Sequence, residues 1–107
     1  MDKVFVNLTP HPLTILDKDG KSVSIPVTGD VARVSSTDTV VGHINGIAIH
    51  KVVFGDVVGV PDPRPDTVFL VSRMVKDRIS NRDDVMVPGI AVRDSDGRVI
   101  GSNGLSL

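Results

Sequence analysis

The chain of 107 residues contains no cysteine, no tryptophan and no tyrosine, and each absence removes a class of function. Without cysteine the chain can form no disulfide, no thiolate metal site and no cysteine nucleophile. Three phenylalanines are its only aromatic residues, so it lacks the stacking platforms on which single-stranded nucleic acids are bound. Interfaces anchored by tryptophan and tyrosine are excluded for the same reason.

The chain also lacks an excess of either charge. Twelve basic side chains against thirteen acidic ones give a formal net charge of -1. A duplex binder needs a concentrated basic face to displace counterions, so we expect no nucleic-acid partner. No stretch approaches the roughly 18 apolar residues of a membrane span. The apolar run after Met1 ends at Asn7, below the length of a secretory signal. We therefore expect a soluble cytoplasmic protein with no membrane partner.

What the chain has in excess is valine, with 20 Val and 8 Ile against 3 Ala. β-branched side chains favour the pleated surface of a sheet, whereas alanine favours helices. The length suits one domain with one core, spanning residues 1–107. The composition and the spacing of turns predict an α+β fold of about seven or eight mostly antiparallel strands with one short helix. The spacing leaves open a closed barrel or a two-layer sheet.

The first half of the chain divides at its glycines and prolines. The sequence predicts strands over residues 3–8, 13–16, 22–25, 31–34 and 57–60, with one or two more within residues 40–53. Thr9-Pro10-His11-Pro12 breaks the first strand, because each proline fixes φ and removes an amide donor. Asp17-Lys18-Asp19-Gly20 predicts a hairpin turn. The polar segment 35–39 is typical of a turn, and Gly42 and Gly46 indicate turns or bulges.

The second half begins with a proline-rich surface loop over residues 61–66, followed by an apolar strand over residues 67–71 that we expect to be central. Ser72 is a suitable N-cap for a helix over residues 73–79, which Asn81 would end in a left-handed conformation. The remaining predicted elements are strands over residues 84–87, 90–93 and 98–100, with turns at 88–89 and 94–97. The tail 101–107 is expected to fray unless Leu105 is held.

Two Asp-x-Asp-Gly turns raise the possibility of calcium binding. An EF-hand loop needs acidic or amide groups at positions 1, 3 and 5. Lys21 and Arg98 occupy position 5 in the two turns, so a cation stands where a ligand is required. Both segments are therefore interpreted as hairpin turns.

The other residues with catalytic or metal-binding potential give little pattern. His11, His43 and His50 have no compact metal-binding spacing, and we predict neither a metal nor another cofactor. No nucleophile elbow or phosphate-binding loop occurs. Ser72 is interpreted as a helix cap rather than a nucleophile or anion site. His11 is kept as a candidate because the flanking prolines restrict its loop.

The charged residues that interrupt apolar stretches are Arg82-Asp83-Asp84 and Arg93-Asp94. In one interpretation they form a polar cluster that recognises an anionic or planar ligand through arginine forks. In the other they form a salt-bridge network that fixes the loop after the helix to the last hairpin. Arg33 can join either arrangement.

Several segments together form a pattern: Val6 to Pro12, Val31 to Val34, Phe69 to Ser72 and, toward the end, Arg82-Asp83, Val92-Arg93-Asp94, Gly97-Arg98 and Ile100-Gly101. In these segments the chain resembles a family of small uncharacterised bacterial and phage or prophage proteins. Those proteins open with N-L-T-P-H and close with R-D-x-x-G followed by I-G. The resemblance implies binding positions at Asn7, Thr9, His11, Arg33, Arg82, Asp83, Arg93 and Asp94. The family often has a cysteine near the end, where this chain has Ser102.

Three functions follow from these patterns. The first is a non-catalytic binding or accessory module of phage or prophage type that contacts a protein partner or a small anionic ligand, since no motif assembles a nucleophile, base and electrophile. The second is a small hydrolase or isomerase in which Asp83 or Asp94 orients His11 as a base. The third is a structural or assembly component that self-associates through an exposed strand edge. The sequence leaves the oligomeric state open.

Overall fold

The computed structural model describes residues 3–107, which form eight strands and one short helix. The strands are β1 (Val4–Asn7), β2 (Leu13–Leu16), β3 (Ser22–Ile25), β4 (Arg33–Ile44), β5 (Ile47–Val58), β6 (Thr67–Leu70), β7 (Val85–Arg93) and β8 (Val99–Ser106), and the helix α1 (Arg73–Arg78) lies between β6 and β7. The predicted α+β class with one short helix is confirmed.

Six strands form one sheet in the order β1-β6-β7-β8-β2-β3, which curls into a nearly closed barrel. The parallel pairings of β1 with β6, β6 with β7 and β2 with β8 are short. The long ladders, β4 with β5 and β7 with β8, are antiparallel. β6 is an interior strand, as predicted, and lies between β1 and β7; it is buried because both of its faces are covered.

The two faces of β6 organise two apolar clusters. Phe69 and Val71 point toward the cluster that contains Val75 of α1 and the partly buried Val34 and Val57 of the β4–β5 hairpin. On the other face of β6, alternate residues contact a second cluster inside the barrel; its members are Ile15, Ile25, Val68 and Leu70, with Leu13, Met86 and Leu105 packed against it. The sheet around β6 therefore separates the hairpin base and helix from the barrel interior.

The predicted turns and helix cap are largely confirmed. Asp17 Oδ1 accepts hydrogen bonds from the backbone amides of Asp19 and Lys21 at 2.9 Å, and Asp94 Oδ1 closes the second hairpin turn in the same way. The Ser72 hydroxyl accepts from the amide of Val75 at the start of α1. The prediction that Asn81 ends the helix in a left-handed conformation is wrong, because the C-cap is Ile79 with φ of -131°.

The region from residue 33 to residue 58 differs most from its prediction. Instead of several short strands with a turn at residues 35–39, it forms one hairpin of two twelve-residue strands. Asn45 and Gly46, with φ of 52° and 78°, form the two-residue turn. Gly42 lies at a register shift, so the predicted bulge is present. Residues 35–39 belong to β4 although they are polar, because their side chains are exposed to solvent in this strand.

The C-terminal part also contains longer strands than predicted. Pro88 and Gly89 lie within β7 and not in a turn, since Pro88 and Ile90 on either side of Gly89 both pair with β8, while the β6 ladder ends at Met86. Proline is tolerated where the other side of its strand is a free edge. The tail forms β8 and does not fray, because it pairs with β7 and β2 and Leu105 packs against the second cluster.

The molecule is elongated, with extents of 55 × 40 × 24 Å and a radius of gyration of 17.2 Å. A compact chain of this length has a radius of about 13 Å. The difference arises from the β4–β5 hairpin, which packs on the body through its base alone. Within residues 3–107, no helix has the length and apolar character needed to cross a membrane.

Candidate functional site

The N-terminal polar residues form a hydrogen-bonded loop rather than an open site. Asn7 is fully buried, and its Nδ2 donates to the carbonyl oxygens of His11 at 2.8 Å and Ile25 at 3.2 Å. Its Oδ1 accepts from the amide of Thr9 at 2.9 Å and from the Thr9 hydroxyl at 2.6 Å. His11 is exposed and takes part in this network through its backbone carbonyl. Asn7 and Thr9 therefore hold the loop through backbone groups.

The Asn7 bond to Ile25 also bridges β1 and β3, the two strands that leave the barrel open. Thr28 adds a second link, since its hydroxyl donates to the Asn7 carbonyl at 3.1 Å. We call the gap between the unpaired strands β1 and β3 the seam. These contacts close the seam at the carboxyl ends of the two strands. Toward the amino ends, at Phe5 and Val23, the seam remains open.

Arg82 is held by contacts within the chain. Its Nε and Nη2 bind the two carboxylate oxygens of Asp84 at 3.0 and 2.6 Å, and its Nη1 donates to the carbonyl of Pro61 at 2.9 Å. The guanidinium also lies 5.8 Å from the centre of the Phe69 ring. Lys76, buried on α1, donates from Nζ to the Arg82 carbonyl at 2.7 Å. The arrangement ties the proline loop, the helix and the start of β7 together.

The electrostatic effect of this arrangement follows from its geometry. The hydrogen bonds from the Arg82 guanidinium hold the pKa of Asp84 below its ordinary value, while partial burial acts in the opposite direction. The same bonds raise the pKa of Arg82. Both groups are therefore charged at neutral pH.

The other predicted site residues lie elsewhere. Arg93 ends β7, about 25 Å along the strand from Val85, and its Nη1 donates to the Gly97 carbonyl at 2.7 Å. Asp94 closes its hairpin turn, Asp83 is exposed, and Arg33 is exposed at the start of β4. The structure does not bring the two arginine–aspartate pairs together. Neither the single ligand cluster nor the salt-bridge network between loop and hairpin is formed.

The histidines give no support for metal binding or catalysis. In the described part of the chain, no three histidine or acidic side chains are grouped to hold a metal ion. His11 has no hydrogen bond to Asp83 or Asp94 among residues 3–107. The hydrogen-bonded histidine–aspartate pair there is His50 Nδ1 with Asp38 Oδ1 at 2.9 Å, with both side chains half exposed. It lies on an open ribbon rather than in a cleft that would exclude water.

The feature that the sequence did not reveal as one unit is the distal arm, which we define as residues 37–53 of the β4–β5 hairpin. Seven aliphatic side chains on it are exposed: Val40, Val41, Ile44, Ile47, Ile49, Val52 and Val53. Ile44 and Ile47, paired across the turn, are 64% and 68% exposed. By strand alternation Ile47, Ile49 and Val53 share one face. The arm is therefore an apolar ribbon that the body does not cover.

The second unexpected feature is a concave apolar site at the open seam, which we call the mouth cavity. It has a volume of about 490 Å³ and is lined mainly by apolar side chains from four strands of the barrel, namely Phe5, Ile15, Val23, Ile25 and Leu105. Asp17 and Lys18, where β2 leads into the β2–β3 turn, also belong to its lining. Phe5 and Val23 were placed in strands by their sequence pattern, but only the open seam brings them together.

The chain was compared with protein-family models, curated proteins and solved structures, and none of these comparisons gives a match.

Proposed function

We propose that this chain is a non-catalytic protein-binding module that assembles with further copies of itself through the distal arm. The single observation that carries the proposal is the set of seven exposed aliphatic side chains on the distal arm, a two-stranded ribbon beyond the base through which the hairpin packs on the body. An isolated two-stranded hairpin is marginally stable in water, and apolar patches of this kind mark interaction surfaces. Of the functions that the sequence suggested, self-association agrees best with this feature.

Burial energies indicate the strength of such an interface. Each of the seven half-exposed side chains contributes roughly 1 kcal/mol when covered, or about 7 kcal/mol for one arm. A micromolar complex corresponds to about 8 kcal/mol, and association also loses translational and side-chain freedom. One arm therefore supports micromolar or weaker pairing, and an assembly in which every copy both gives and receives an arm is stronger.

The alternative of a small anionic ligand has lost its main support. The guanidinium of Arg82 already binds Asp84 and Pro61, and Arg93 lies at the far end of β7. The hydrolase or isomerase alternative is weakened equally, because His11 lacks an orienting carboxylate among the described residues. Resemblance to phage and prophage proteins supports an assembly role of that type, and the absence of cysteine agrees with a cytoplasmic setting.

Sedimentation across the micromolar range tests the proposal. We expect the native chain to associate as its concentration rises, and Ile44→Lys at the arm tip to weaken association at least tenfold. Ile90→Lys is the matched control, because Ile90 is the more exposed isoleucine, at 83%, and lies on β7. A native chain that stays monomeric at high concentration, or an Ile44→Lys variant that associates normally, contradicts the proposal.

A further inference from the structure

We propose that the arm tip of one copy inserts into the mouth cavity of a second copy, so that copies associate head to tail. The inference rests on the proposed function and specifies which surface of the second copy receives the arm. It identifies a binding site at the barrel seam whose occupant is the Ile44–Ile47 tip.

The cavity has the size and chemistry for this occupant. At about 490 Å³ it is roughly three times the ~150 Å³ apolar cavity that accommodates a benzene ring. Two isoleucine side chains fit that space. Its lining by Phe5, Val23 and Leu105 offers apolar contacts and few polar partners, so the matching ligand is aliphatic.

The arm tip has the complementary chemistry. Residues 39–50 contain no lysine, arginine, aspartate or glutamate, so insertion buries no formally charged lysine, arginine or carboxylate side chain. Ile44 and Ile47 project together beside the Asn45–Gly46 turn. Asp38 and Lys51, which flank the uncharged segment, would remain outside the apolar part of the cavity, whose lining also includes the charged Asp17 and Lys18.

Interface area argues against face-to-face pairing of two arms. Nine residues at about 3.3 Å each, with two strands about 10 Å wide, give a flat ribbon face of only about 300 Å². A specific interface buries about 800 Å² on each partner. Pairing two arms through one face each therefore falls well short of that area, whereas the concave mouth cavity surrounds the tip side chains that a flat pairing leaves exposed.

The receiving cavity must belong to another copy. The base of the arm packs beside Phe69 on one face of the β6 sheet, while the cavity lining includes Ile15 and Ile25, which pack with Val68 and Leu70 on the other. An arm that rises from one side of this sheet faces away from the cavity on the other. A contact between two different surfaces of identical chains is heterologous, so it continues into a ring or a filament.

Engineered cysteines test the contact directly, because the native chain has none. Ile47→Cys places a thiol at the arm tip and Val23→Cys places one at the cavity, and the two single variants are mixed with an added oxidant. We expect the tip–cavity disulfide to form well above the share that random collisions give. Ile90→Cys replaces the tip variant as the control and should yield no such excess with Val23→Cys.

The other outcomes separate the two proposals. A product dominated by tip–tip disulfides means that arms pair with each other; this overturns insertion but leaves arm-mediated association intact. A random distribution of products also overturns insertion. Failure of the proposed function itself appears as a monomeric native chain in sedimentation, which needs no cysteine variant.

A second pair of variants avoids cross-linking. Val23→Lys places a charged side chain in the mouth cavity, and Val23 is an exposed residue on an edge strand that tolerates lysine. Association should weaken at least tenfold, with an unchanged melting temperature. Val27→Lys, at an equally exposed valine in the loop after β3, should associate as the native chain does. Normal association of Val23→Lys overturns the inference.

Discussion

Asn7 uses its full hydrogen-bonding capacity inside the protein. Both amide hydrogens and both lone pairs of the side-chain oxygen have partners, and these lie in the loop between β1 and β2 and in β3. Aspartate has the acceptor but not the donors, and alanine has neither. The polar opening motif of the chain is thus explained by barrel closure, with no ligand required.

Asn7→Ala should lower the free energy of unfolding by about 2–3 kcal/mol, because the carbonyls of His11 and Ile25 and the amide of Thr9 lose their partner at a buried or partly buried position. Asn7→Asp should lose a similar amount, since the carbonyls of His11 and Ile25 would then face a carboxylate. Urea unfolding followed by circular dichroism measures both. Asn81→Ala, at an exposed asparagine, is the control and should change little. A near-native Asn7→Ala variant would show that the seam does not depend on this side chain.

The Arg82–Asp84 pair predicts a specific pH dependence. The folded state holds the pKa of Asp84 below its unfolded value through the Arg82 hydrogen bonds. The resulting stability is present above the unfolded pKa of about 4 and is lost as the pH falls through the folded pKa. Asp84→Asn should therefore cost about 1–2 kcal/mol at neutral pH, and the difference from the native chain should shrink in acid.

Urea unfolding of both proteins at neutral and acidic pH measures this difference. Asp83→Asn is the matched control, because the Asp83 carboxylate is next to Asp84 in the sequence but is exposed. It should leave stability unchanged at either pH. A stability difference for Asp84→Asn that is the same at both pH values would mean that charge is not the cause.

At the scale of elements, local turn chemistry was sufficient to predict some parts of the fold. The hairpin of β2 and β3 and the N-cap of α1 follow from residues that are neighbours in the sequence. The arm was missed because its strands have no buried face, so the alternation that identifies a half-buried strand is absent from residues 35–39. No pattern in the sequence predicted that Lys76 is buried, because its burial on α1 depends on tertiary contacts.

Prediction of the candidate site from the sequence is limited in the same way, because the site depends on tertiary structure. Arg82 and Arg93 both interrupt apolar stretches of the sequence. They lie far apart in the structure because β7 continues through Pro88 and Gly89 and separates them. The mouth cavity depends on the failure of β1 and β3 to pair, which is a property of barrel closure and not of any local pattern.

Gly89→Ala tests the continuity of β7. A Cβ at this position would overlap the backbone carbonyl oxygen of Asn103 on β8, and backbone cannot move as a flexible side chain does. We expect a loss of about 1–3 kcal/mol in the free energy of unfolding. Gly42→Ala is the control, because a Cβ there meets no atom and φ is ordinary. Equal stability of the two variants would contradict the close approach of β7 and β8.

At the scale of the whole molecule, two surfaces lack partners. The body closes around two apolar clusters, whereas the arm and the mouth cavity expose aliphatic groups on opposite sides of the β6 sheet. The proposed head-to-tail contact would join the arm of one copy to the cavity of the next. In that proposal the elongated single chain is the unassembled subunit.

A shortened-arm variant tests that conclusion without altering the body. Deleting residues 38–44 and 47–52 joins Thr37 and Val53 through the Asn45–Gly46 turn. Val53 lies on the same face as Ile47, so the turn keeps its geometry. Because the distal arm contacts little of the body, the melting temperature should stay close to native. In small-angle scattering the radius of gyration should fall from 17.2 Å in the monomer toward about 13 Å, and association should be lost. A shortened chain that still associates would locate the interface on the body and not on the arm.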